Sequence, residues 1–187
     1  MILQKILVAY KKIFFKKSKE QMELEYLLKN GMKMGSNCHI YSTNIDGAWP
    51  WLISIGNDVT ISTNVTILAH DASTNVVKCG TKLGKVKVGN NVFIGTGSTI
   101  LCNVEIGDNV VIGAGSVVSK SLPANGVYAG VPARKICTIE EYAEKYSALR
   151  EKCQDFSTIR PWYDWQNATM DERDSMSKEI ENNVGFI

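Results

Sequence analysis

Aliphatic residues recur at every sixth position through the middle of this chain. Written in sixes from Met34, the sequence gives MGSNCH and IYSTNI, an irregular stretch DGAWPWLIS, and then IGNDVT, ISTNVT and ILAHDA. After an interruption it resumes in phase with itself as VGNNVF, IGTGST, ILCNVE, IGDNVV, IGAGSV and VSKSLP. The first position of each complete block is apolar, the second is most often Gly, the fifth is usually Val or Ser, and Asn, Asp and Gly fill the turns. A period of two buries one face of a sheet and a period of 3.6 buries a helix stripe, so neither accounts for a period of six. A coil with three flat sides does, each side taking one hexamer. The positions Ile55, Ile61, Ile67, Val88, Ile94, Ile100, Ile106, Ile112 and Val118 then point to the axis. Successive coils stack at about the strand spacing of 4.8 Å as parallel strands.

The flanks follow a different rhythm. Ile2, Leu3, Ile6, Leu7, Tyr10, Ile13 and Phe14 recur at helical spacing among Lys5, Lys11, Lys12, Lys16 and Lys17, which predicts a basic amphipathic helix within an N-terminal segment 1–32. Beyond the coils, Thr138-Ile139-Glu140-Glu141 reads as a capping box opening a helix with Ile139, Tyr142, Tyr146, Leu149 and Cys153 on one face. An aromatic loop around Arg160-Pro161-Trp162-Tyr163-Asp164-Trp165 follows, then a short polar helix starting near Thr169. The expected organisation is 1–32, a coil domain 33–135 with an excursion at about 70–87, and a C-terminal extension 136–187.

Composition narrows the functional classes. A chain of 187 residues with 44% hydrophobic and 21% charged residues suits one main soluble domain. Twenty-one basic against 19 acidic residues give a formal charge of +2. That balance provides no global field for nucleic acid, so any anion site must be local. Cys38, Cys79, Cys102, Cys137 and Cys153 form no C-x-x-C pair, which argues against a disulfide framework or a zinc knuckle and fits a reducing cytoplasm. The apolar start Met1 to Ala9 is broken by Lys5, lacks a cleavage signal and is too short to span a bilayer.

One break in the repeat stands out as chemistry. ILAHDA should lead into another hexamer, yet polar and small residues continue to about Lys87. Loops that leave a rigid scaffold are where function concentrates. His70, one of two histidines, stands at the mouth of this loop. An imidazole titrates near neutrality and is suited to take a proton from a hydroxyl nucleophile. Asp71 and Asp46 are the nearest candidates to orient it, and His39 reads as structural.

From Met34 to Lys135, ending in GVYAGVPARK, the chain resembles the hexapeptide-repeat acyltransferases. It looks most like the galactoside and maltose acetyltransferase branch and its relatives that O-acetylate capsular or exopolysaccharide. The resemblance implies a left-handed parallel β-helix, an exception to the right-handed crossover rule. It implies acetyl-CoA as cosubstrate with no metal, a saccharide-like acceptor, a homotrimer and His70 as general base. Asn44 falls near an asparagine that contacts the acceptor in the galactoside branch, or it serves as a turn residue. Phe93, Thr96, Ala114 and Ser119 fall where the family contacts the pantetheine arm, and Lys120 and Arg134 where cations meet the phosphates. A second basic residue three places beyond Arg134 in the galactoside enzymes is Cys137 here, so the phosphate contacts are either fewer or shifted to Lys135. Trp49 and Trp51 either stack on a sugar or cap the coil end.

Alternatives remain at this level. Antibiotic acetylation and N-acetylation of an amino sugar share the scaffold. A γ-type carbonic anhydrase needs three histidine ligands, whereas this chain has two. A non-catalytic scaffold or membrane tether leaves the CoA-side motifs unexplained. The basic start would rest on an anionic membrane face where lipid-linked glycans are assembled, or would cap the coil.

Overall fold

Each regular hexamer folds into one short strand and one turn. The computed structural model describes residues 18–181 and 184–187, so the basic segment from Met1 to Lys17 lies outside the described residues. The first coil comprises β1 (Lys33–Met34), β2 (His39–Ile40) and β3 (Asn44–Ile45). The second comprises β4 (Ile53–Ile55), β5 (Thr60–Ile61) and β6 (Thr66–Ile67). A hairpin of β7 (His70–Asp71) and β8 (Lys82–Leu83) interrupts the winding. The third coil holds β9 (Val86–Val88), β10 (Val92–Ile94) and β11 (Thr99–Ile100), and the fourth holds β12 (Val104–Ile106), β13 (Val110–Ile112) and β14 (Val117–Val118). β15 (Gly126–Ala129) continues in parallel on β13, and β16 (Arg134–Thr138) turns back antiparallel on β15. Three sheets result, ordered β1-β4-β9-β12, β16-β15-β13-β10-β5-β2 and β14-β11-β6-β3, one on each side of the coil.

The axial aliphatic column is present as the period requires. All nine first-position residues from Ile55 to Val118 are at most 4% exposed. Each such side chain contributes roughly 1.5–3 kcal/mol by leaving water. Fifth positions are buried too, Val59, Val65, Val92, Val104 and Val110 among them. Ser98 and Ser116 take that place in two other hexamers and are fully buried, which their hydroxyls tolerate by donating to the Gly113 carbonyl at 3.1 and 2.6 Å.

Turn chemistry accounts for the remaining positions. The fourth residue of most regular hexamers has positive φ, including Asp58, Asn64, Asn91, Asn103 and Asn109, the residue types that enter the left-handed region at least cost. Their amides also link coils: Asn91 Nδ2 donates to Asn109 Oδ1 and Asn109 Nδ2 to Asn125 Oδ1, each at 2.9 Å. At the second position a Cβ on Gly56 would come within 2.4 Å of the Gly89 carbonyl oxygen. Glycine there lets one coil lie directly on the next.

Helix α1 (Lys19–Lys29) begins with Ser18 and Gln21 in a reciprocal capping box. Leu27, 1% exposed, joins the aliphatic core, with Leu24 packed against it. The basic amphipathic start, for which capping of the coil was one reading, lies outside the described residues; α1 follows it and packs Leu27 on the core. At the other end the strand order extends to Thr138 rather than stopping at 135, because Arg134–Thr138 hydrogen bond to β15.

A second compact unit starts at Glu140. The predicted helices occur as α2 (Ile139–Arg150) and α3 (Met170–Glu179), the latter capped by Thr169 and Glu172. Phe156, 2% exposed, meets Trp165 edge-on at 6.0 Å, and Arg160 pairs with Asp164 and Glu172. None of the described helices is long and apolar enough to cross a membrane.

Candidate active site

The site arises where the hexamer rule fails twice, one coil apart. His70 is the fourth residue of its block, the place where a regular hexamer turns left-handed. Instead the chain runs straight on as β7 and pairs with β8, His70 opposite Leu83. Residues Ala72–Val77 form a 3-10 segment, and the chain rejoins the coil when the Gly84 N–H donates to the Ala69 carbonyl at 3.0 Å. β9 resumes at Val86, so the excursion closes slightly earlier than the expected Lys87.

The second failure is the stretch 46–54. Ile45 lies in register with Ile67, so Asp46 follows Ile45 on the same edge where Leu68 follows Ile67. Its side chain is 2% exposed, against 34% for that of His70. Asp46 Oδ2 accepts from His70 Nδ1 at 2.5 Å and from the Ala69 N–H at 2.9 Å, while Oδ1 accepts from the Ala48 N–H at 3.0 Å. Burial alone pushes the Asp46 carboxyl up, but the hydrogen bonds from His70, Ala69 and Ala48 outweigh it and hold the group below its ordinary value. An ionised carboxylate has no proton to give, so Nδ1 carries the hydrogen, and the neutral form of the ring has its lone pair on Nε2. Trp49 packs on the other side of the arrangement, its ring 4.5 Å from the imidazole and inclined by 51°.

Asp71 does not orient His70, although it is the next residue. Its carboxylate caps the 3-10 segment through the Ser73 N–H at 2.9 Å and pairs with Lys82 Nζ at 3.0 Å. These contacts, Ser73 first, hold its carboxyl well below the ordinary carboxylate range. Alternation along β7 sends neighbouring side chains to opposite faces, which is why adjacency in sequence misleads here. Asn44 stands exposed on β3, in register with Thr66 of β6 and two residues before Asp46. Its N–H donates to Ser42 Oγ at 3.2 Å. His39 is exposed on β2 and stacks with Tyr41 at 6.4 Å.

The residues expected to meet CoA fall into two sets. Ile67, Ile100 and Val118 share one column, so Ser119 and Lys120 lie on the His70 edge, two coils along and roughly 10 Å away. Thr96 and Ala114 lie instead at the opposite edge of that sheet, where the Gly115 N–H donates to the Thr96 carbonyl at 2.9 Å. Phe93, 44% exposed, projects from the adjoining sheet between Thr60 and Val111. Arg134 stands over the same side: the neighbouring Ala133 N–H donates to Val117 O at 2.8 Å and the Gly130 N–H to Ser116 Oγ at 3.2 Å. One chain therefore carries the two halves of the set on different corners.

Sequence reading named both Asp71 and Asp46 as candidate orienters, placed only Asp71 with His70 and Asn44 in the catalytic set, and did not connect Trp49 with His70. The signal for Asp46 was its place after an axial isoleucine, one coil below the histidine hexamer. No comparable signal marks Trp49.

Comparison with known proteins places this geometry. Residues 85–120 match the family described as bacterial transferase hexapeptide (six repeats). The chain is 41% identical over 141 residues to the protein CapG of Staphylococcus aureus, covering 72% of this chain and 82% of that relative. It is 40% identical over 120 residues to galactoside O-acetyltransferase of Escherichia coli, covering 60% of this chain and 59% of that enzyme. The structure of a maltose O-acetyltransferase from Clostridium difficile superimposes with a TM-score of 0.52 at 27% identity over 72% of this chain and 84% of that one. Fold and site together define an acyltransferase built on a left-handed parallel β-helix. The chain belongs to the hexapeptide-repeat transferase family.

Proposed function

We propose that this chain is an acetyl-CoA-dependent O-acetyltransferase acting on a saccharide-like hydroxyl in capsular or exopolysaccharide synthesis, with His70 as general base. The observation that carries the reading is the buried Asp46 carboxylate on Nδ1 of a half-exposed His70 at the mouth of the excursion loop. Similarity to CapG and to galactoside and maltose O-acetyltransferases supports the choice of acyl group and acceptor.

The step balances on these residues alone. Nε2 takes the proton of the acceptor hydroxyl as its oxygen bonds to the thioester carbonyl carbon. The carbon–sulfur bond then breaks, and the departing sulfur takes the proton from the imidazolium, leaving an ester and free CoA. Asp46 stabilises the imidazolium that exists between the two transfers. Ser119, Thr96 and Ala114 offer hydroxyl and backbone contacts to pantetheine, Phe93 lies along it, and Lys120 and Arg134 meet the phosphates. Asn44, exposed near Asp46, contacts the acceptor, and Asp71 serves by holding the hairpin that carries His70. Because the CoA residues occupy two corners of one coil, a neighbouring subunit completes each cleft, and three-fold closure makes three equal sites. Acetyl-CoA is a cytoplasmic metabolite, so the enzyme works in the cytoplasm or at the inner membrane face.

The deciding experiment measures thiol release from acetyl-CoA with a panel of hexoses and amino sugars, and tests the product for a hydroxylamine-labile ester. His70→Ala should lower turnover by about 10²–10⁴-fold while CoA binding by calorimetry persists. Near-normal transfer by that variant refutes the base assignment, and an amide product replaces O- by N-acetylation.

A further inference from the structure

The hydrogen bond to Asp46 restrains the His70 ring at Nδ1 alone, on a side chain that is 34% exposed and can turn about its own torsions whenever that bond opens. A second contact on the ring restrains it further. Trp49 makes it: the ring centroids of the indole and the imidazole are 4.5 Å apart and the planes inclined by 51°, within the contact range of aromatic pairs. The indole is itself held in place. Pro50 opens the 3-10 turn Pro50–Leu52, and the Leu52 N–H closes it on the Trp49 carbonyl at 3.0 Å. Ala48, immediately before, donates its N–H to Asp46 Oδ1, and Tyr26 Oη of α1 donates to the Gly47 carbonyl at 3.3 Å. Trp49 is half-buried and packed against the aliphatic core, whereas Trp51 is 57% exposed. The insertion that carries the orienting carboxylate thus also carries the ring clamp.

We propose that Trp49 is a positioning residue for His70, locking the imidazole with Nδ1–H on Asp46 and Nε2 presented to the acceptor. This rests on the reading of His70 as base. In the positioning role the indole packs against the imidazole rather than against a sugar, and the irregular stretch 46–54 supplies both the orienting carboxylate and the ring contact. Catalysis demands such a lock because a ring held by one hydrogen bond samples orientations in which the lone pair misses the hydroxyl proton.

Two measurements test it, neither needing the natural acceptor. The first records the imidazole ¹⁵N shifts of His70 in the whole protein. The native chain and Trp49→Phe should show one neutral Nδ1–H form, and Trp49→Ala the averaged shifts of a mobile, tautomerising ring. The second follows acetyl-CoA hydrolysis with water as the acceptor. Trp49→Ala should lower kcat by about 10–100-fold with KM for acetyl-CoA within about twofold, and Trp49→Phe should recover most of the loss. Trp51→Ala should leave both readouts unchanged. Trp49→Leu keeps apolar volume if the alanine variant folds poorly. Unchanged ¹⁵N shifts and kcat in Trp49→Ala and Trp49→Leu overturn the proposal. Hydrolysis that persists in His70→Ala defeats the base reading instead, while the ¹⁵N pattern still reports on Trp49.

Discussion

Asp58 and Asp46 stand one hexamer pair apart in the repeat and do opposite things. Asp58 lies in a regular turn with φ of 56°, exposed, its carboxylate accepting from Asn37 Nδ2 of the coil below. Asp46 lies in an irregular stretch, buried, and accepts from an imidazole and two backbone amides. The regular coils contain many interchangeable positions of the first kind, each holding one layer to the next. The breaks contain singular ones. A period that assigns every residue a structural role leaves none for chemistry, so the reactive groups collect where the period is abandoned, at 46–54 and 70–85. Substitutions at the axial and amide-ladder positions of the coils should therefore lower stability and spare turnover, and substitutions at the residues that hold His70 in the breaks should do the reverse.

The sharpest test on the coil side is Ile94→Ala. Ile94 is fully buried at the axis between Ile61 and Ile112, so truncation leaves a cavity flanked by layers that cannot collapse. A loss of about 2–5 kcal/mol is expected in urea unfolding, with kcat of the folded fraction unaltered. On the break side, Asp46→Asn keeps the shape and removes the charge that stabilises the imidazolium. Turnover should fall about a hundredfold or more while the fold persists at neutral pH. Its pH signature follows from sign. The folded Asp46 carboxyl is held below its ordinary value, so the ionised form favours the native state above the unfolded value of about 3.9. Below about pH 5 the stability gap between native chain and Asp46→Asn should close as acid is added. A gap that went on widening below about pH 5 would show that Asp46 is not stabilised as a carboxylate.

How much of this could be read beforehand follows the same division. The coils were legible because position in a hexamer fixes environment: Ile61, Ile67, Ile94, Ile100 and Ile112 are all fully buried, as the period demands. His70 was legible as the residue at which the period stops. Its orienter was not, because Asp71 and Asp46 are equally plausible on a string, and the choice depends on strand alternation and on which coil lies beneath. Trp49 was illegible for a related reason: its contact with His70 depends on the path of an insertion that obeys no period. The C-terminal helices were visible through their caps, Thr169 with Glu172 most clearly.

A weaker coil substitution should follow the same rule at lower amplitude. Asn109→Ala removes two links of the amide ladder, to Asn91 and to Asn125, at a turn and forces alanine into a φ of 55°. A loss of about 1 kcal/mol is expected from the unfolding midpoint, again without a change in kcat.

The smallest effect belongs to Asp71→Asn, and it is the one that separates the two aspartates beside His70. Asp71 pairs with Lys82 across the base of the hairpin, but both side chains are substantially exposed, 37% and 52%, and solvent screens such a pair. Asparagine retains an oxygen for the Ser73 N–H and serves well at a helix start, so the cap survives and the charge alone is lost. Turnover should change by at most about twofold, and the residual effect should vanish in high salt. Asp46→Asn, by contrast, acts on a buried carboxylate that salt does not reach. If Asp71→Asn instead matched the loss of Asp46→Asn and resisted salt, the imidazole would be answering to its sequence neighbour, and the assignment of Asp46 as its orienter would fall.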